Sequence, residues 1–396
     1  EEQKMRKSIF WLITLLTLSA LLGACGAMAQ PETAAPAAQA GEKYGLVAGD
    51  IEDGGFNQLA WEGMQQAADE LGVEVEHLEV SDIEAADVAD ALAQFVDEGV
   101  DGVVTVGFGV SSAARAASEA NPDIAFASVD SPSLTETDLG LLFNVDAPAF
   151  MAGYLAAGMS QSGVVCTFGG LQTPPAMAFM VGVEHGVRYY NQQNAAEVSL
   201  LGWETKPQLA IGGEGVFSNT FGDPQIGRQI AGDFFAEGCD IIFPVAGATG
   251  LGADELALEQ GLTSIGVDAD QTRTEPDLAE VYLTSVVKRV DVAGFEAIKS
   301  MSDGSFVGGE NFIGTLQNGG AELAPFHSFE DSVPQSLKDD LARVEQSLTN
   351  GTLSTGWPIY AATTVRRLTD ESLLNATYPS DFTADGLAPL RDGYYE

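Results

Sequence analysis

The stretch K-Y-G-L-V-A-G-D (43–50), followed by I-E-D-G-G-F-N (51–57) and a helical pattern over 57–71, decides the fold class. Its first part is a continuous apolar run, which is typical of parallel strands that are buried on both faces. In its last part apolar residues recur three or four positions apart, which is the spacing of an amphipathic helix. The stretch is therefore predicted to be one strand–helix unit.

The same unit is repeated along the chain. Nine further stretches have the length of a strand, and most of them are continuous apolar runs: 73–80, 101–108, 124–130, 140–146, 163–170, 197–203, 240–247, 263–268 and 280–286. Helical patterns lie between several of them, at about 84–98, 147–159, 224–237, 252–261 and 287–302. Alternating strands and helices predict an α/β architecture of doubly wound sheets. Ten strands exceed one comfortable sheet, so we expect two lobes.

Composition excludes several classes of protein. The chain has 396 residues, of which 45% are hydrophobic, so it can bury a sizeable core and is not globally disordered. It carries 58 acidic against 17 basic side chains, for a net charge of −41. Such a chain repels phosphate backbones, which excludes nucleic-acid binding through a basic surface.

The first residues predict export. Three basic residues among the first seven precede an apolar run, Ile9–Leu22, which ends in Gly23-Ala24-Cys25. This pattern resembles a bacterial lipoprotein signal (1–24), in which Cys25 is acylated and becomes the new N-terminus; an ordinary signal peptide is the alternative. The Ala- and Pro-rich residues that follow predict a flexible tether over 25–42.

Two further cysteines, Cys166 and Cys239, lie in apolar stretches. A free cysteine in such a stretch usually packs as a small core residue. In an exported protein the two could equally form a disulfide. The sequence leaves both alternatives open.

Aspartates end three of the predicted strands: Asp50, Asp130 and Asp268. Open α/β sheets bind their ligands at the carboxyl ends of the strands, so these positions are candidate ligand contacts. Each is also a good turn or capping residue, which is the structural alternative.

The stretch D-I-E-D-G-G-F-N-Q-L-A-W-E-G (50–63) resembles the opening motif of the basic membrane lipoprotein family. Further blocks resemble the family in the same order: 106–108, 121–130, 221–224, 241–252, 265–271, 283–291 and 308–316, with a closing helix near 334–350. Members are substrate-binding lipoproteins of ABC importers, and several bind purine nucleosides. The resemblance implies a type I periplasmic-binding-protein fold, in which three crossovers join two lobes around a ligand cleft.

The expected lobes are discontinuous in sequence. The N-terminal lobe is predicted from 43–145 plus about 271–305, and the C-terminal lobe from 146–270 plus about 306–355. Residues 356–396 form an extension for which we have no role.

The resemblance also implies the ligand contacts. Phe56 and Phe221 resemble the stacking pair of the family, one from each lobe; the alternative is that both are ordinary core residues. Asn57 offers a donor and an acceptor to the edge of a base. Phe108 and Gly247 match strand-end loops where the backbone approaches the ligand.

Charged residues are expected to hold the sugar. Asp130 and Asp268 can accept hydrogen bonds from ribose hydroxyls, and Asp50 is a further candidate for the same network. Lys288 matches the lysine of the family and would donate to the sugar or pair with Asp268.

Possible enzyme and metal-binding motifs lack the sequence context that their functions require. The loop G-A-T-G-L-G (247–252) mimics a dinucleotide-binding loop, but it lies far downstream of an export signal. Asp268-Ala269-Asp270 could hold a divalent metal, although Asp270 more plausibly turns the chain. The three histidines have no metal-ligand spacing. We therefore predict no catalysis, no cofactor and no metal.

The predicted function is that of a solute-binding protein, lipid-anchored on the extracytoplasmic face of the cell membrane. It would capture a nucleoside, expected to be a purine nucleoside, between its two lobes. It would act as a monomer and deliver the ligand to the permease and ATPase subunits of an ABC importer. Two alternatives stay open: a surface sensor or adhesive module with the same fold, and binding of a sugar or another small solute.

Overall fold

The structure, a computed structural model, describes four ranges of the chain: 41–80, 85–133, 135–206 and 213–357, without the side chains of 85 and 86. Cys25, the predicted signal and nearly all of the predicted tether lie outside the described residues, as do residues 358–396. Within the described ranges, no helix combines the length and the apolarity needed to cross a bilayer.

Strands and helices alternate along most of this chain. The strands are β1 (Lys43–Ala48), β2 (Glu74–Glu79), β3 (Gly102–Val106), β4 (Ala125–Val129), β5 (Asp138–Phe143), β6 (Val164–Gly169), β7 (Ser199–Leu201), β8 (Trp203–Thr205), β9 (Gly213–Gly215), β10 (Ile241–Val245), β11 (Thr263–Asp268), β12 (Tyr282–Lys288), β13 (Asn311–Gly314) and β14 (Ala321–Leu323). The helices are α1 (Phe56–Leu71), α2 (Ala85–Glu98), α3 (Ser111–Ala120), α4 (Asp146–Met159), α5 (Pro174–Asn194), α6 (Pro224–Ala236), α7 (Ala248–Gln260), α8 (Gln271–Thr274), α9 (Val290–Asp303) and α10 (Gln335–Thr349). All ten predicted strands are confirmed.

Two six-stranded sheets organise the fold. The first has the order β13-β5-β4-β3-β1-β2, and the second has the order β14-β12-β11-β10-β6-β7. Every strand pair in the first sheet is parallel, whereas β14 runs antiparallel to β12 in the second. Read from β2 to β5 and from β7 to β12, the two sheets repeat one strand order, as expected of doubly wound lobes.

Close packing of backbone against side chain shapes the first lobe. A Cβ on Gly45 in β1 would lie 2.6 Å from ring carbons of Phe95, which is fully buried on α2. No side chain fits between them, so a glycine in the strand brings helix and sheet together. The helix α1 ends at Gly72, whose φ of 75° lies in the left-handed region and whose N–H bonds to the carbonyl of Ala68.

The lobe boundaries differ from the predicted ones at two strands. The sequence predicts about 271–305 in the first lobe, but β12 is buried along its length and pairs in parallel with β11 of the second sheet. The helix α9 packs on α1 in the first lobe. The strand β13, predicted in the second lobe, pairs with β5 of the first sheet. The chain therefore crosses between the lobes after β5, after β12 and after β13.

A disulfide joins Cys166 in β6 to Cys239 just before β10, with 5.9 Å between the Cα atoms. The two strands are neighbours in the second sheet, where Ile242 lies opposite Cys166, so the bond ties the segment just before β10 to β6. Of the two possibilities that the sequence left open, free cysteines or a disulfide, the structure has the disulfide.

The end of the described chain is built into the second lobe. The Thr355 hydroxyl donates to the carboxylate of Asp146 at the start of α4, and His185 Nδ1 on α5 donates to the Thr355 carbonyl. Trp357 is only 4% exposed. The predicted extension therefore begins inside the folded lobe, because its first two residues complete this packing.

Candidate ligand-binding site

Asp130 and Asp268 occupy equivalent positions in the two lobes. Asp130 directly follows β4, and Asp268 is the last residue of β11, the strand with the same place in the second sheet. Their φ angles are 64° and 63°, in the left-handed region. Such a conformation costs a residue with a side chain about 1–3 kcal/mol and is concentrated at functional sites. The backbone therefore marks both positions as candidate ligand contacts.

Lys288 connects the lobes. It ends β12 in the second sheet, and its Nζ lies 2.5 Å from Oδ2 of Asp130 in the first lobe. Nζ also lies 4.4 Å from the ring centroid of Phe56 and 5.4 Å from that of Phe143. The lysine is only 2% exposed, so its charge depends on this carboxylate and on the two ring faces. The sequence predicts that Lys288 donates to the sugar or pairs with Asp268. In the structure its ammonium group donates to Asp130 instead.

Asp268 has an unused acceptor. Its Oδ1 is buried and has no hydrogen-bond partner among the residues that the structure describes. Burial raises the pKa of this carboxyl to about 7; Lys288 lowers it, while the charges of Asp130 and Asp53 raise it further. A buried oxygen without a partner is costly, so this atom is suited to accept a hydrogen bond from a ligand hydroxyl.

The turn before α1 is held by hydrogen bonds of Asp53. Its carboxylate accepts from the backbone N–H groups of Gly55, Asn57 and Gln58 and from the side chain of Asn57. Burial raises the pKa of Asp53, and these four bonds oppose that rise. Asn57 Oδ1 in turn accepts from the N–H of Gly49. The Asn57 amide, predicted at a base edge, therefore binds the turn together and positions Phe56.

Asp53 was not among the predicted contacts, although a carboxylate four residues before Asn57 at a helix start is a capping signal. Asp50 is exposed, and its Oδ1 accepts from the N–H of Glu52 at 2.9 Å. The described contacts of Asp50 are thus those of a surface turn.

The structure brings the predicted ligand contacts together in two separate groups. The first contains Phe56, Asp130, Lys288 and Asp268, because contacts or electrostatic interactions link its members. The half-buried Phe108 begins the turn after β3, and a Cβ on the preceding Gly107 would lie 4.0 Å from the Phe56 ring. Phe108 therefore neighbours this group.

Phe221 and Gly247 form the second group, in the second lobe. A Cβ on Gly247 would lie 3.3 Å from the Phe221 carbonyl oxygen, and one on Gly170 would lie 2.2 Å from a carbon of the Phe221 ring. Gly170 directly follows β6, and Gly247 lies two residues after β10, so Phe221 lies over two strand ends. Phe221 remains accessible to solvent, since 38% of its surface is exposed.

A cavity of about 10 Å³, the space of a single water molecule, lies beside the Asp130–Lys288 pair. Its walls come from both lobes: Asp130, Leu142, Phe143, Val145, Pro175, Ala178 and Lys288. Within the part of the chain that the structure describes, no three histidine, cysteine or carboxylate side chains are grouped to hold a metal ion. Asp270 instead caps α8 by accepting from Thr272, and it bonds to His327.

Comparisons with known proteins place the chain in a family. The chain matches the family described as Bmp, ABC transporter substrate-binding protein PnrA-like, over residues 44–210 and 214–358. It is 29% identical to an uncharacterized lipoprotein of Pyrococcus abyssi over 320 residues, 78% of this chain and 74% of the relative. It is 28% identical to basic membrane protein A of Borreliella burgdorferi over 251 residues, 62% of this chain and 67% of the relative.

Solved structures share the fold. An ABC transporter solute-binding protein of Aeropyrum pernix K1 superposes with a TM-score of 0.71 at 22% identity, over 85% of this chain and 98% of that one. A protein of Bacillus halodurans, described as a transcriptional activator of the comK gene, superposes with a TM-score of 0.63 at 20% identity, over 78% and 99%. These similarities establish the type I periplasmic-binding-protein fold. Together with the family match, they show that the chain belongs to the Bmp family of PnrA-like ABC transporter substrate-binding proteins.

Proposed function

We propose that this protein captures a nucleoside between its lobes and delivers it to the permease and ATPase of an ABC importer. It does so as a monomer that is anchored through a lipid on Cys25 at the extracytoplasmic face of the membrane, and it is not an enzyme. The single observation that carries the nucleoside proposal is the Asp130–Lys288–Asp268 arrangement beside the Phe56 ring.

The hydrogen-bond donors and acceptors of the site support a ligand that carries a sugar with hydroxyl groups. The unpartnered Oδ1 of Asp268 and the oxygens of Asp130 are acceptors, and Lys288 Nζ has N–H groups beyond the one given to Asp130. A ribose hydroxyl both donates and accepts, so neighbouring hydroxyls can bond to carboxylate and ammonium at once. Hydrogen bonds to charged groups contribute about 1.5–3 kcal/mol each.

Aromatic rings support a flat base. Phe56 is half-buried next to the charged group, and Phe221 offers an accessible ring in the second lobe. Stacking contributes about 1–3 kcal/mol per base–aromatic contact. A ligand with a planar ring at one end and hydroxyls at the other matches both features, and among common solutes a nucleoside has this form.

The test is calorimetric titration of the mature protein with inosine, adenosine, guanosine and ribose. We expect at least one nucleoside to bind, and ribose to bind much more weakly because it lacks the base. Tight binding of a sugar or an amino acid with no response to any nucleoside would contradict the proposal. Mass spectrometry of small molecules extracted from the purified protein identifies a retained ligand independently.

The lipid anchor needs its own experiment. Cys25→Ser removes the thiol that would be acylated, so we expect this variant to leave the membrane fraction while the unaltered protein stays in it. Equal membrane retention of both proteins would contradict anchoring through Cys25.

A further inference from the structure

We propose that α1 and α8 form a clasp between the lobes, which closes over the site and slows release of the ligand without touching it. The clasp consists of Gly54 and Glu62 in the first lobe and of Arg273 and Thr274 in the second. It is a device of the same site, and its binding readout rests on the proposed nucleoside function.

An ion pair forms the outer part of the clasp. Arg273 Nη1 and Nη2 donate to Oε1 and Oε2 of Glu62 at 3.1 and 3.0 Å, a two-pronged arrangement. Gln58 holds the same carboxylate by donating to Oε1 at 3.0 Å. The arginine and the glutamate are 211 positions apart in sequence, and their helices belong to different lobes. This pair can therefore exist only when the lobes are together.

The inner part of the clasp is a contact with the turn before α1. Thr274 Oγ1 donates to the Gly54 carbonyl at 2.7 Å. Gly54 has a φ of 72°, and a Cβ there would lie 2.2 Å from Oε1 of Glu275. Residues with a side chain rarely adopt this φ, so the glycine allows the turn that presents the Gly54 carbonyl to Thr274.

Both parts of the clasp lie next to the ligand site, in sequence and in space. Gly54 lies two residues before Phe56, and α8 begins three residues after Asp268. A Cβ on Gly55 would lie 3.5 Å from the Val267 carbonyl and 3.7 Å from Asp268 Cβ. A ligand that draws Phe56 and Asp268 together thus brings the clasp residues together, and a closed clasp keeps these two residues at the ligand.

The decisive variants are Arg273→Gln and Glu62→Gln, with the double charge swap Glu62→Arg/Arg273→Glu. Exposed ion pairs have small energies, and bidentate arginine pairs are among the stronger ones, so we expect each single variant to weaken inosine binding about two- to fivefold. The loss should fall mainly on the dissociation rate, measured by stopped flow. The charge swap should recover at least half of it.

Arg228→Gln is the matched control. Arg228 on α6 pairs with Glu259 on α7 within the second lobe, so this variant removes the same charge and a similar exposed pair without crossing the cleft. We expect its dissociation rate to equal that of the unaltered protein. The clasp is refuted if Arg273→Gln and Arg228→Gln release inosine at the same rate, or if the charge swap is no better than the single variants.

Failure of the clasp can be distinguished from failure of the nucleoside proposal. If the unaltered protein binds none of the nucleosides, the proposed ligand is wrong, and the clasp is then tested by small-angle X-ray scattering without ligand. The Arg273→Gln protein should have a larger radius of gyration than the Arg228→Gln protein, because its lobes open more often. Identical scattering curves would overturn the clasp.

Discussion

The two lobes place the same residue at the same point of the same fold and give it opposite surroundings. Asp130 and Asp268 share a strand-end position and a left-handed backbone. Asp130 is paired with a buried lysine, whereas Oδ1 of Asp268 has no hydrogen-bond partner among the described residues. The repeated fold thus supplies the position, and the neighbouring side chains set the chemistry.

The neighbouring strand accounts for the difference. In the first lobe Val129 of β4 lies opposite Leu141, and two residues beyond that partner stands Phe143. In the second lobe Val267 lies opposite Val286, and two residues beyond that partner stands Lys288. One lobe therefore contributes a ring and the other a charge at the equivalent place, and the charge reaches across to the carboxylate of the opposite lobe.

The largest expected effect comes from removing the paired carboxylate. Asp130→Ala leaves the buried Lys288 charge without its partner, which should lower the free energy of unfolding by about 3–5 kcal/mol. Asp268→Ala removes a buried carboxyl whose Oδ1 has no hydrogen-bond partner among the described residues, and should leave stability unchanged or raised while weakening ligand binding. Urea unfolding of the two variants measures this contrast. Equal destabilisation by both would mean that the lobes are not different in this respect.

Replacing the aromatic rings should have the next largest effect. Phe56→Ala and Phe221→Ala should each weaken nucleoside binding by about 1–3 kcal/mol, because each removes one stacking surface. Phe56→Ala should also lower stability, since Lys288 packs on that ring, whereas the exposed Phe221 should be replaceable without loss. Calorimetry and thermal unfolding together separate the two roles. Unchanged affinity in both variants would identify the rings as packing residues only.

The smallest effect is the pH dependence of ligand binding. The pKa of Asp268 is raised to about 7, so the carboxyl binds a proton in the folded protein that the unfolded chain has already lost. Its contribution to stability is therefore full at low pH and declines as pH rises towards 7. The ionised carboxylate accepts a hydrogen bond from a ligand hydroxyl more strongly than the protonated carboxyl does, so affinity should rise by up to about tenfold between pH 6 and pH 8. Asp268→Asn should remove this dependence; a variant that keeps it would show that another group titrates.

Continuous apolar runs were enough to predict most of the ten main strands, because a strand buried on both faces has few polar residues. The strand β2 is an exception, since its sequence E-V-E-H-L-E alternates and it is only partly buried. The longest helix, α5, was not predicted, and the reason is physical. Its first half is buried on all sides and lacks the polar face that a search for amphipathic spacing requires. A Cβ on Gly182 or Gly186 would lie 2.5 or 2.0 Å from a carbonyl oxygen of α4, so these glycines serve close helix packing that only the tertiary structure reveals.

The sequence was enough to name candidate residues for the site, but not the partners of those residues. Strand-end position and family resemblance together led to Asp130, Asp268 and Lys288. Which carboxylate the lysine meets depends on how two sheets approach each other, and 158 sequence positions separate Lys288 from Asp130. The role of Asn57 was likewise hidden, since its amide can serve a ligand or the turn equally well until the surrounding backbone is known.

The chain crosses between the lobes three times, and these crossings determine the order in which the two lobes can fold during synthesis. The first lobe begins at β1, yet it receives α9 and its edge strand β13 only when residue 314 has been made. A nascent chain that stops near residue 145 therefore presents an unfinished sheet with β5 uncovered at its edge. We expect such a fragment to require chaperone protection, and neither lobe to be obtainable by cutting the gene at one point.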